Sequence, residues 1–417
     1  MLKELNNLKG EEKEMLKFLR TVSFIVVAIS FVLTACSTTP AAPVVETQVV
    51  NQVVTATPDS SMPTALPAGS VQITAAGATF PLPLYQAWTY AFQYVDPSTV
   101  INYQGIGSGG GKSAIIANTV DFAGSDSALS DQNYTDGKDL QMYPMVASAV
   151  VVIYNIKFNA PAAASGTGAT PTPTPLPKLI LDRQTLVDIY NAKVTKWNDP
   201  EIVALNPGLK DALPAASITA VHRSDGSGTT NIFTAALASF SKDWTAGAAQ
   251  SVEWPVDKAG NGIGGKGNQG VAAAVINTPN SLGYVEIAFA NSNSLAYADI
   301  INKAGKQVSA NAVSIGSAIS DFGDAFNDKL VATIVDGPGA GSWPITGYTY
   351  LILHTTSMTD CVKASKILEY INWALTDPSA AKQAASLGYS VLPDAVRTKV
   401  LAKLGGVTCN GQPVMKP

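Results

Sequence analysis

The sequence predicts an α/β fold built from parallel βαβ units. Apolar runs of strand length alternate with stretches of helical periodicity, and turns rich in glycine and hydroxyl residues separate them. Hydrophobic residues make up 46% of the chain and charged residues 14%, which provides for a sizeable core. With 417 residues, the chain has length for two domains. In folds of this class, ligands bind at the carboxyl ends of the strands.

The alternation of elements begins after a long stretch poor in charge. A strand is predicted over residues 71–74, followed by a turn at Gly77 and a helix over 82–94 whose apolar residues recur at helical spacing. Further strands are predicted over 100–103, 120–124, 146–154, 218–222 and 282–288. Further helices are predicted over 109–118, 182–192, 227–240 and 270–276.

The N-terminal segment has the features of an export signal. Lys17 and Arg20 precede an apolar run over 22–33, which is too short to span a bilayer but suits the central region of a secretory signal. The run ends in Leu33-Thr34-Ala35-Cys36, which resembles a bacterial lipobox. We therefore expect residues 1–35 to be a signal peptide and Cys36 to be lipidated; an anchor helix that stays attached is the alternative. Met15 is an alternative start to Met1 and would give a cleaner signal.

Two segments have the composition of irregular structure. Residues 36–70 are mostly Ser, Thr, Pro, Ala and Val, which predicts a disordered tether. Residues 159–178 contain a Thr-Pro repeat, and prolines lack the N–H group that regular elements need. We expect a surface insertion there. A glycine cluster over 260–268 is open to two interpretations, a ligand loop or simple turns.

Cysteines, histidines and charge limit the functional classes. Besides Cys36, only Cys361 and Cys409 are present, and export would permit a disulfide between them. Two buried free thiols are the alternative. Only two histidines occur, which argues against a Cys/His metal site. The formal charge of −4 argues against a nucleic-acid partner, and it means that a bound anion must be held by local donors.

The segment 221–230 has the composition of an oxyanion cradle. It offers Arg223, Asp225, two glycines and several hydroxyls immediately before an apolar, helix-like run over 232–240. Guanidinium donors, closely approaching backbone N–H groups and a helix N-terminus all favour an anion. The segments 76–81 and 105–111 repeat this design, and Asp126 lies in a fourth short segment with a hydroxyl residue on each side. We expect these segments to converge on one small anion.

Two enzymatic interpretations of the same residues do not fit. A phosphate-binding P-loop ending in Lys112-Ser113 requires glycine at position 106, where the chain has Ile106. A nucleophile elbow around Ser227 requires glycine at position 225, where the chain has Asp225, and neither His222 nor His354 completes a triad by sequence alone. A secreted phosphatase using Ser227 or Thr229 remains as a rival, although it needs a metal or base that the sequence does not supply.

These motifs resemble those of the phosphate-binding lipoproteins and periplasmic proteins of high-affinity phosphate ABC importers. The resemblance extends from Ile73 to about Pro393. The matching runs are 77–81, 102–108, 116–122, 125–126, 223–229, 264–268, 283–286 and 343–346.

The resemblance implies a two-lobed periplasmic-binding-protein-like fold, in which each lobe is a mostly parallel sheet flanked by helices and the ligand lies in the cleft. By position, lobe one comprises 71–146 plus 346–417 and lobe two 147–345. The implied function is to bind inorganic phosphate outside the cytoplasmic membrane and to deliver it to the permease and ATPase subunits of an ABC importer, without enzymatic activity, metal or cofactor. The implied form is a monomer attached to the membrane through the lipid on Cys36.

The resemblance also implies roles for individual residues. Arg223 pairs with the ligand, and Asp225 holds Arg223 in place. Hydroxyl and backbone donors come from the remaining positions, namely Thr79, Phe80, Ser108, Ser227, Gly228 and Thr229.

Asp126 supplies a physical argument for phosphate over sulfate. A buried carboxylate repels a divalent anion unless a proton lies between them, and phosphate at neutral pH carries such a proton whereas sulfate does not. Sites that pair polar groups reject analogues that lack the partner by about 10⁴- to 10⁵-fold. A helix-capping aspartate is the alternative interpretation. Other tetrahedral oxyanions, arsenate in particular, stay open as ligands.

Overall fold

The computed structural model describes residues 69–159 and 177–415. The predicted signal peptide, Cys36, nearly all of the predicted tether and most of the predicted insertion lie outside the described residues. The strands are β1 Val71–Gly77, β2 Thr99–Gly105, β3 Phe122–Ser125, β4 Leu140–Asn155, β5 Ile180–Asp182, β6 Thr219–Arg223, β7 Gly262–Gly265, β8 Ser281–Glu286, β9 Asp299–Ile301, β10 Gln307–Val308, β11 Thr346–His354, β12 Ser390–Val391, β13 Thr408–Cys409 and β14 Gln412–Pro413.

Helices follow most of the strands. They are α1 Leu82–Val95, α2 Ser108–Ile116, α3 Asp131–Gly137, α4 Arg183–Tyr190, α5 Pro200–Leu205, α6 Gly228–Phe240, α7 Pro255–Lys258, α8 Gly267–Asn277, α9 Ile287–Ser292, α10 Ala312–Phe322, α11 Cys361–Thr376, α12 Pro378–Ser386 and α13 Asp394–Leu404, with a 3₁₀ turn at Pro207–Leu209. None of these helices within the described ranges is long and apolar enough to cross a membrane.

A nine-stranded sheet organises these elements. Its order is β2-β1-β3-β11-β4-β8-β6-β7, with β12 beside β4. Both ends are parallel: β1 pairs with β2 and β3, and β6 pairs with β7 and β8. Strands β4 and β11 run antiparallel in the middle. The α/β alternation that the sequence predicts is therefore present on both sides of an antiparallel centre.

Strand β4 connects the two parallel regions. Its residues 140–149 pair with β11, and its residues 150–155 pair with β8. Fifteen of its sixteen residues are buried, which suits a central strand covered on both faces. The sequence predicted a strand only over 146–154, because Pro144 and the polar residues before it weaken the pattern there.

Two predicted elements have different bounds in the structure. The strand predicted over 282–288 stops at Glu286, whose carboxylate accepts a hydrogen bond from the N–H of Ala288 and caps α9. The glycine cluster 260–268 contains strand β7, and helix α8 begins at Gly267 rather than at Gly270. A Cβ atom on Gly265 would lie 2.6 Å from the backbone nitrogen of Val271, so glycine is needed where α8 packs against β7.

The C-terminal segment is covalently tied to the fold. Cys361, the first residue of α11, and Cys409 in β13 form a disulfide across 48 positions of sequence. No group of three or more His, Cys, Asp or Glu side chains within residues 69–159 and 177–415 is arranged to hold a metal ion.

Candidate functional site

The candidate site lies where the parallel strands of both halves end. Strands β1, β2 and β3 end at Gly77, Gly105 and Ser125, and strands β6 and β7 end at Arg223 and Gly265. The predicted site residues lie at or after the ends of β1, β2, β3 and β6. The loops after β1, β2 and β3 form one group, and the loops after β6 and β7 form the other. The two groups are hydrogen-bonded directly: the N–H of Gly109 donates to the carbonyl of Gly226 at 2.9 Å.

Arg223 and Asp225 form the charged pair of the site. Nε and one terminal nitrogen of Arg223 donate to the two carboxylate oxygens of Asp225 at 2.7 and 2.5 Å, and the Arg223 side chain is 1% exposed. Burial alone raises the pKa of Asp225, but the hydrogen bonds and charge of Arg223 outweigh it, so this pKa lies below its ordinary value. The N–H of Gly267 also donates to Asp225. The pair holds the guanidinium in one orientation, as bidentate geometry does.

Helix α6 begins at the site, and its cap explains why the chain turns there. Ser227 is the N-cap, with its hydroxyl accepting from the N–H of Thr230 at 3.0 Å. The N–H of Gly228 donates to the hydroxyl of Ser108 at 3.0 Å. The remaining N–H groups in the first turn of an α-helix have no partner within the helix, so this end favours an anion.

Three predicted hydroxyl residues are buried and linked across the site. Thr79 and Ser108 are each 1% exposed and Thr229 is fully buried. The side-chain amide of Asn268 donates to Thr79 Oγ1 at 2.9 Å and to Thr229 Oγ1 at 3.1 Å. A terminal nitrogen of Arg223 also donates to Thr229 Oγ1 at 3.4 Å.

Asp126 is a buried carboxyl group beside these donors. It is 4% exposed; Oδ1 accepts from the hydroxyl of Thr349 at 2.8 Å, and Oδ2 lies 3.3 Å from Ser108 Oγ. Burial raises the pKa of Asp126 to about 7, although Thr349, Arg223, Ser108 and Lys112 all act to lower it. The carboxyl group is therefore poised to gain or lose a proton near neutral pH, and it does not cap a helix.

Phe80 lies in the loop after β1, and its backbone carbonyl is hydrogen-bonded. Its ring is fully buried, and its carbonyl accepts a hydrogen bond from the hydroxyl of Tyr389 at 2.8 Å. The same hydroxyl lies 3.0 Å from Oε2 of Glu286, whose pKa is raised to about 8 by burial. These contacts hold the Phe80 carbonyl in place.

Several residues at the site were missed by the sequence interpretation. Asn268 ends the run 264–268, which contributes to the resemblance, but no role was assigned to its side chain. Thr349 reaches Asp126 from β11, which is 223 positions away in sequence. Lys112, which the P-loop comparison brought to attention, is 7% exposed and donates to Ser127 Oγ at 3.0 Å and to the carbonyl of Ala128. Burial lowers the pKa of Lys112 to about 8.

The geometry gives no support to a serine hydrolase. The ring nitrogens of His222 face the carbonyl of Arg223 and the carboxylate of Asp257, at 3.0 and 2.8 Å. Its ring stacks on Trp254. The other histidine, His354, contacts Asp139 and the carbonyl of Ile115. The hydroxyl of Ser227 contacts the helix backbone instead of a base.

Fold and site together define a substrate-binding protein for a small anion: an α/β scaffold with buried donors at the carboxyl ends of strands. The PBP superfamily domain matches residues 40–378. The phosphate-binding protein PstS of Pasteurella multocida is 36% identical over 334 residues, which are 79% of this chain and 89% of that protein. PstS of Xylella fastidiosa (strain Temecula1) is 38% identical over 335 residues, or 79% of this chain and 84% of that protein.

The chain belongs to the PBP superfamily and, within it, to the family of phosphate-binding proteins PstS. A crystal structure of the phosphate-binding protein from Stenotrophomonas maltophilia shares the fold, with a TM-score of 0.59 and 19% identity over 82% of this chain and 99% of that one. The predicted two-lobed α/β fold class is thereby confirmed.

Proposed function

We propose that this protein binds inorganic phosphate outside the cytoplasmic membrane and delivers it to an ABC importer. The observation that carries the proposal is the pairing of buried hydroxyl and guanidinium donors with one buried carboxyl group, Asp126, whose pKa is raised to about 7. Donors suit the ionised oxygens of the ligand, and an ionised Asp126 suits a ligand oxygen that carries a proton. The names of the relatives describe phosphate binding, and we assign no enzymatic activity to the chain.

The proposed ligand contacts are those that the sequence predicted. Arg223, positioned by Asp225, supplies the positive charge. Donors come from Thr79, Phe80, Ser108, Ser227, Gly228 and Thr229, while Asp126 accepts a hydrogen bond from the protonated oxygen of the ligand. In support, all nine positions lie at the strand ends and helix starts described above, and hydrogen bonds connect most of them.

Isothermal titration with phosphate, repeated in excess sulfate, tests the proposal. We expect one phosphate per chain and little competition from sulfate, while phosphate raises the melting temperature. Arsenate competition defines the oxyanion range, since charge does not separate arsenate from phosphate. Absence of phosphate binding, or turnover of a chromogenic phosphomonoester, would refute the assignment.

We further propose that the two lobes divide at β4 and before β11, with 71–146 plus 346–417 in lobe one and 147–345 in lobe two. In support, β4 changes partner from β11 to β8 after residue 149, and β11 begins at Thr346. Contacts such as Gly109 with Gly226 and Thr79 with Asn268 then belong to the closed state. Such contacts from both lobes exist together only after hinge closure.

Attachment to the membrane through a lipid on Cys36 completes the proposal. It rests on the signal-like residues 17–36 and on the likeness of the segment before Cys36 to a lipobox. Labelling of cells with an alkyne fatty acid tests it: the wild-type protein should be labelled and the Cys36→Ser variant should not. Size-exclusion chromatography with light scattering tests the expected monomer.

A further inference from the structure

Asn268 occupies a buried position between the two groups of loops. It is the second residue of α8, directly after β7, and it is fully buried. Its Oδ1 accepts from the N–H of Glu286 at 2.9 Å. A backbone N–H is always a donor, so the side-chain atom that faces it must be oxygen. The amide orientation is therefore fixed, and both hydrogens of Nδ2 face Thr79 and Thr229.

The two threonine hydroxyls accept as many hydrogen bonds as they can. Thr79 Oγ1 accepts from the backbone N–H of Asn268 at 3.1 Å and from its Nδ2 at 2.9 Å. Thr229 Oγ1 accepts from Nδ2 of Asn268 at 3.1 Å and from Arg223 at 3.4 Å. A hydroxyl has two acceptor lone pairs and one hydrogen. Each of these hydroxyls can therefore form one further hydrogen bond, and only as the donor.

No acceptor for these two hydrogens is found among residues 69–159 and 177–415. The two hydrogens are thus available for a ligand. Because each hydroxyl can only donate, its partner must be an acceptor, such as an ionised oxygen of an oxyanion. At either threonine, the hydrogen of a protonated ligand oxygen would face the hydroxyl hydrogen, and no hydrogen bond could form between them. A protonated ligand oxygen is directed instead towards Asp126, whose ionised carboxylate can accept a hydrogen bond from it.

We propose that Asn268 is a positioning residue that commits the hydroxyls of Thr79 and Thr229 to donate to the bound oxyanion and so fixes which ligand oxygen carries the proton. The inference rests on the proposed function. It assigns a role to a residue that contacts the ligand only through others. It also gives Asn268 a part in joining the residues of β1 and its loop to those of α6.

Asn268→Leu tests the inference, because leucine has a similar volume and no donors. Phosphate affinity measured by titration should weaken on the order of 10- to 100-fold. Asn302→Leu is the matched control: Asn302 is 3% exposed and makes a comparable set of hydrogen bonds to Gly339, Ala340, Ser342, Ala304 and Lys306. We expect this control to lower the melting temperature and to leave the affinity unchanged.

A double-mutant cycle separates positioning from general structural damage. In a Thr79→Val background one of the two hydroxyls that Asn268 orients is gone, so Asn268→Leu should cost at least about threefold less in affinity than it does in the wild type. Equal costs in the two backgrounds would overturn the inference.

Asn268→Asp provides a second variant should the leucine variant not fold. The carboxylate has the same shape but only accepts, so both threonine hydrogens turn towards it and phosphate binding should again weaken by at least about 10-fold. Wild-type affinity in this variant would contradict the inference. Wild-type protein that binds no phosphate would refute the proposed function itself, which keeps the two failures distinct.

Discussion

At the residue scale, the candidate site places one carboxyl group among hydrogen-bond donors. Asp126 is buried beside Ser108 and Thr349, and burial raises its pKa to about 7. Ionised, it accepts a hydrogen bond; protonated, it donates one. The same side chain therefore favours a protonated ligand in one state and a fully ionised ligand in the other.

Asp126→Asn should relax the discrimination against sulfate. The asparagine amide can donate to an unprotonated oxygen and carries no charge, so we expect the ratio of sulfate to phosphate dissociation constants to fall by at least about 100-fold. Competition titrations measure it. Asp131→Asn removes the same charge from an exposed side chain and should leave the ratio unchanged. An unaltered ratio in the Asp126 variant would reject the role of Asp126.

Sulfate binding, titrated in the absence of phosphate, should also depend on pH in the wild-type protein. As pH falls through the raised pKa of Asp126, about 7, the carboxyl group gains a proton and becomes a donor. We expect sulfate alone to bind more tightly at pH 6 than at pH 8, conditions chosen about one unit either side of that pKa; phosphate is left out because its own protonation changes in this range. The Asp126→Asn variant should show no such trend, and a trend that survives in it would assign the effect to another group.

At the element scale, the starts of α2 and α6 bring backbone donors together. Ser108 begins α2 and Gly228 begins α6, and the two residues are joined by a 3.0 Å hydrogen bond. This contact is possible because Gly228 has no side chain. A Cβ atom there would lie 2.5 Å from Ser108 Oγ and 2.6 Å from Oδ2 of Asp126.

Gly228→Ala should therefore weaken phosphate binding strongly, by on the order of 100-fold or more, because the methyl group separates two helix starts that hold the ligand. Gly316→Ala in α10 is the matched control. A Cβ atom at Gly316 meets nothing within 4 Å, so the change should raise the free energy of unfolding by up to about 1 kcal/mol and leave affinity intact. Titration and thermal melts measure both. Wild-type affinity in Gly228→Ala would show that the helix starts do not close as described.

At the scale of the whole molecule, binding is expected to require movement. Hydrogen bonds between the segment 71–146 and residues 223–286 cross the site, so we expect a ligand to enter when these contacts separate. Ser108 with Gly228 and Thr79 with Asn268 make these contacts. We therefore expect closure and ligand binding to be coupled.

Small-angle X-ray scattering should record a smaller radius of gyration with phosphate than without it. The Gly228→Ala protein should contract less, because its helix starts are held apart. Identical scattering of the wild-type protein in both conditions would contradict a hinge that closes on the ligand.

Removal of the disulfide should affect stability and not affinity. The bond between Cys361 and Cys409 closes a loop of 48 positions, so Cys361→Ala with Cys409→Ala should lower the free energy of unfolding by about 4 kcal/mol or less. Chemical denaturation measures this, and reduction of the wild-type protein provides the control. A weakened phosphate affinity in the variant would mean that the C-terminal segment also shapes the site.

The sequence by itself predicted the α/β class, six of the fourteen strands and five of the thirteen helices of the described residues, and the four segments in which the nine candidate positions lie. It could do so because strand and helix periodicity is local, and because glycine, hydroxyl and charged residues stand together in short motifs such as 223–229. Element ends were less well predicted where a side chain decided them, as Glu286 does when it caps α9.

Only the tertiary structure decided which partners those site residues have. Thr349 reaches Asp126 from a strand 223 positions away, and Asn268 binds Thr79 across 189 positions. Burial, which raises the pKa of Asp126, likewise arises only when distant segments pack around it. The local sequence pattern indicates which side chains can take part in a site. The direction of their hydrogen bonds and their protonation depend on groups that folding brings together from far apart in the chain.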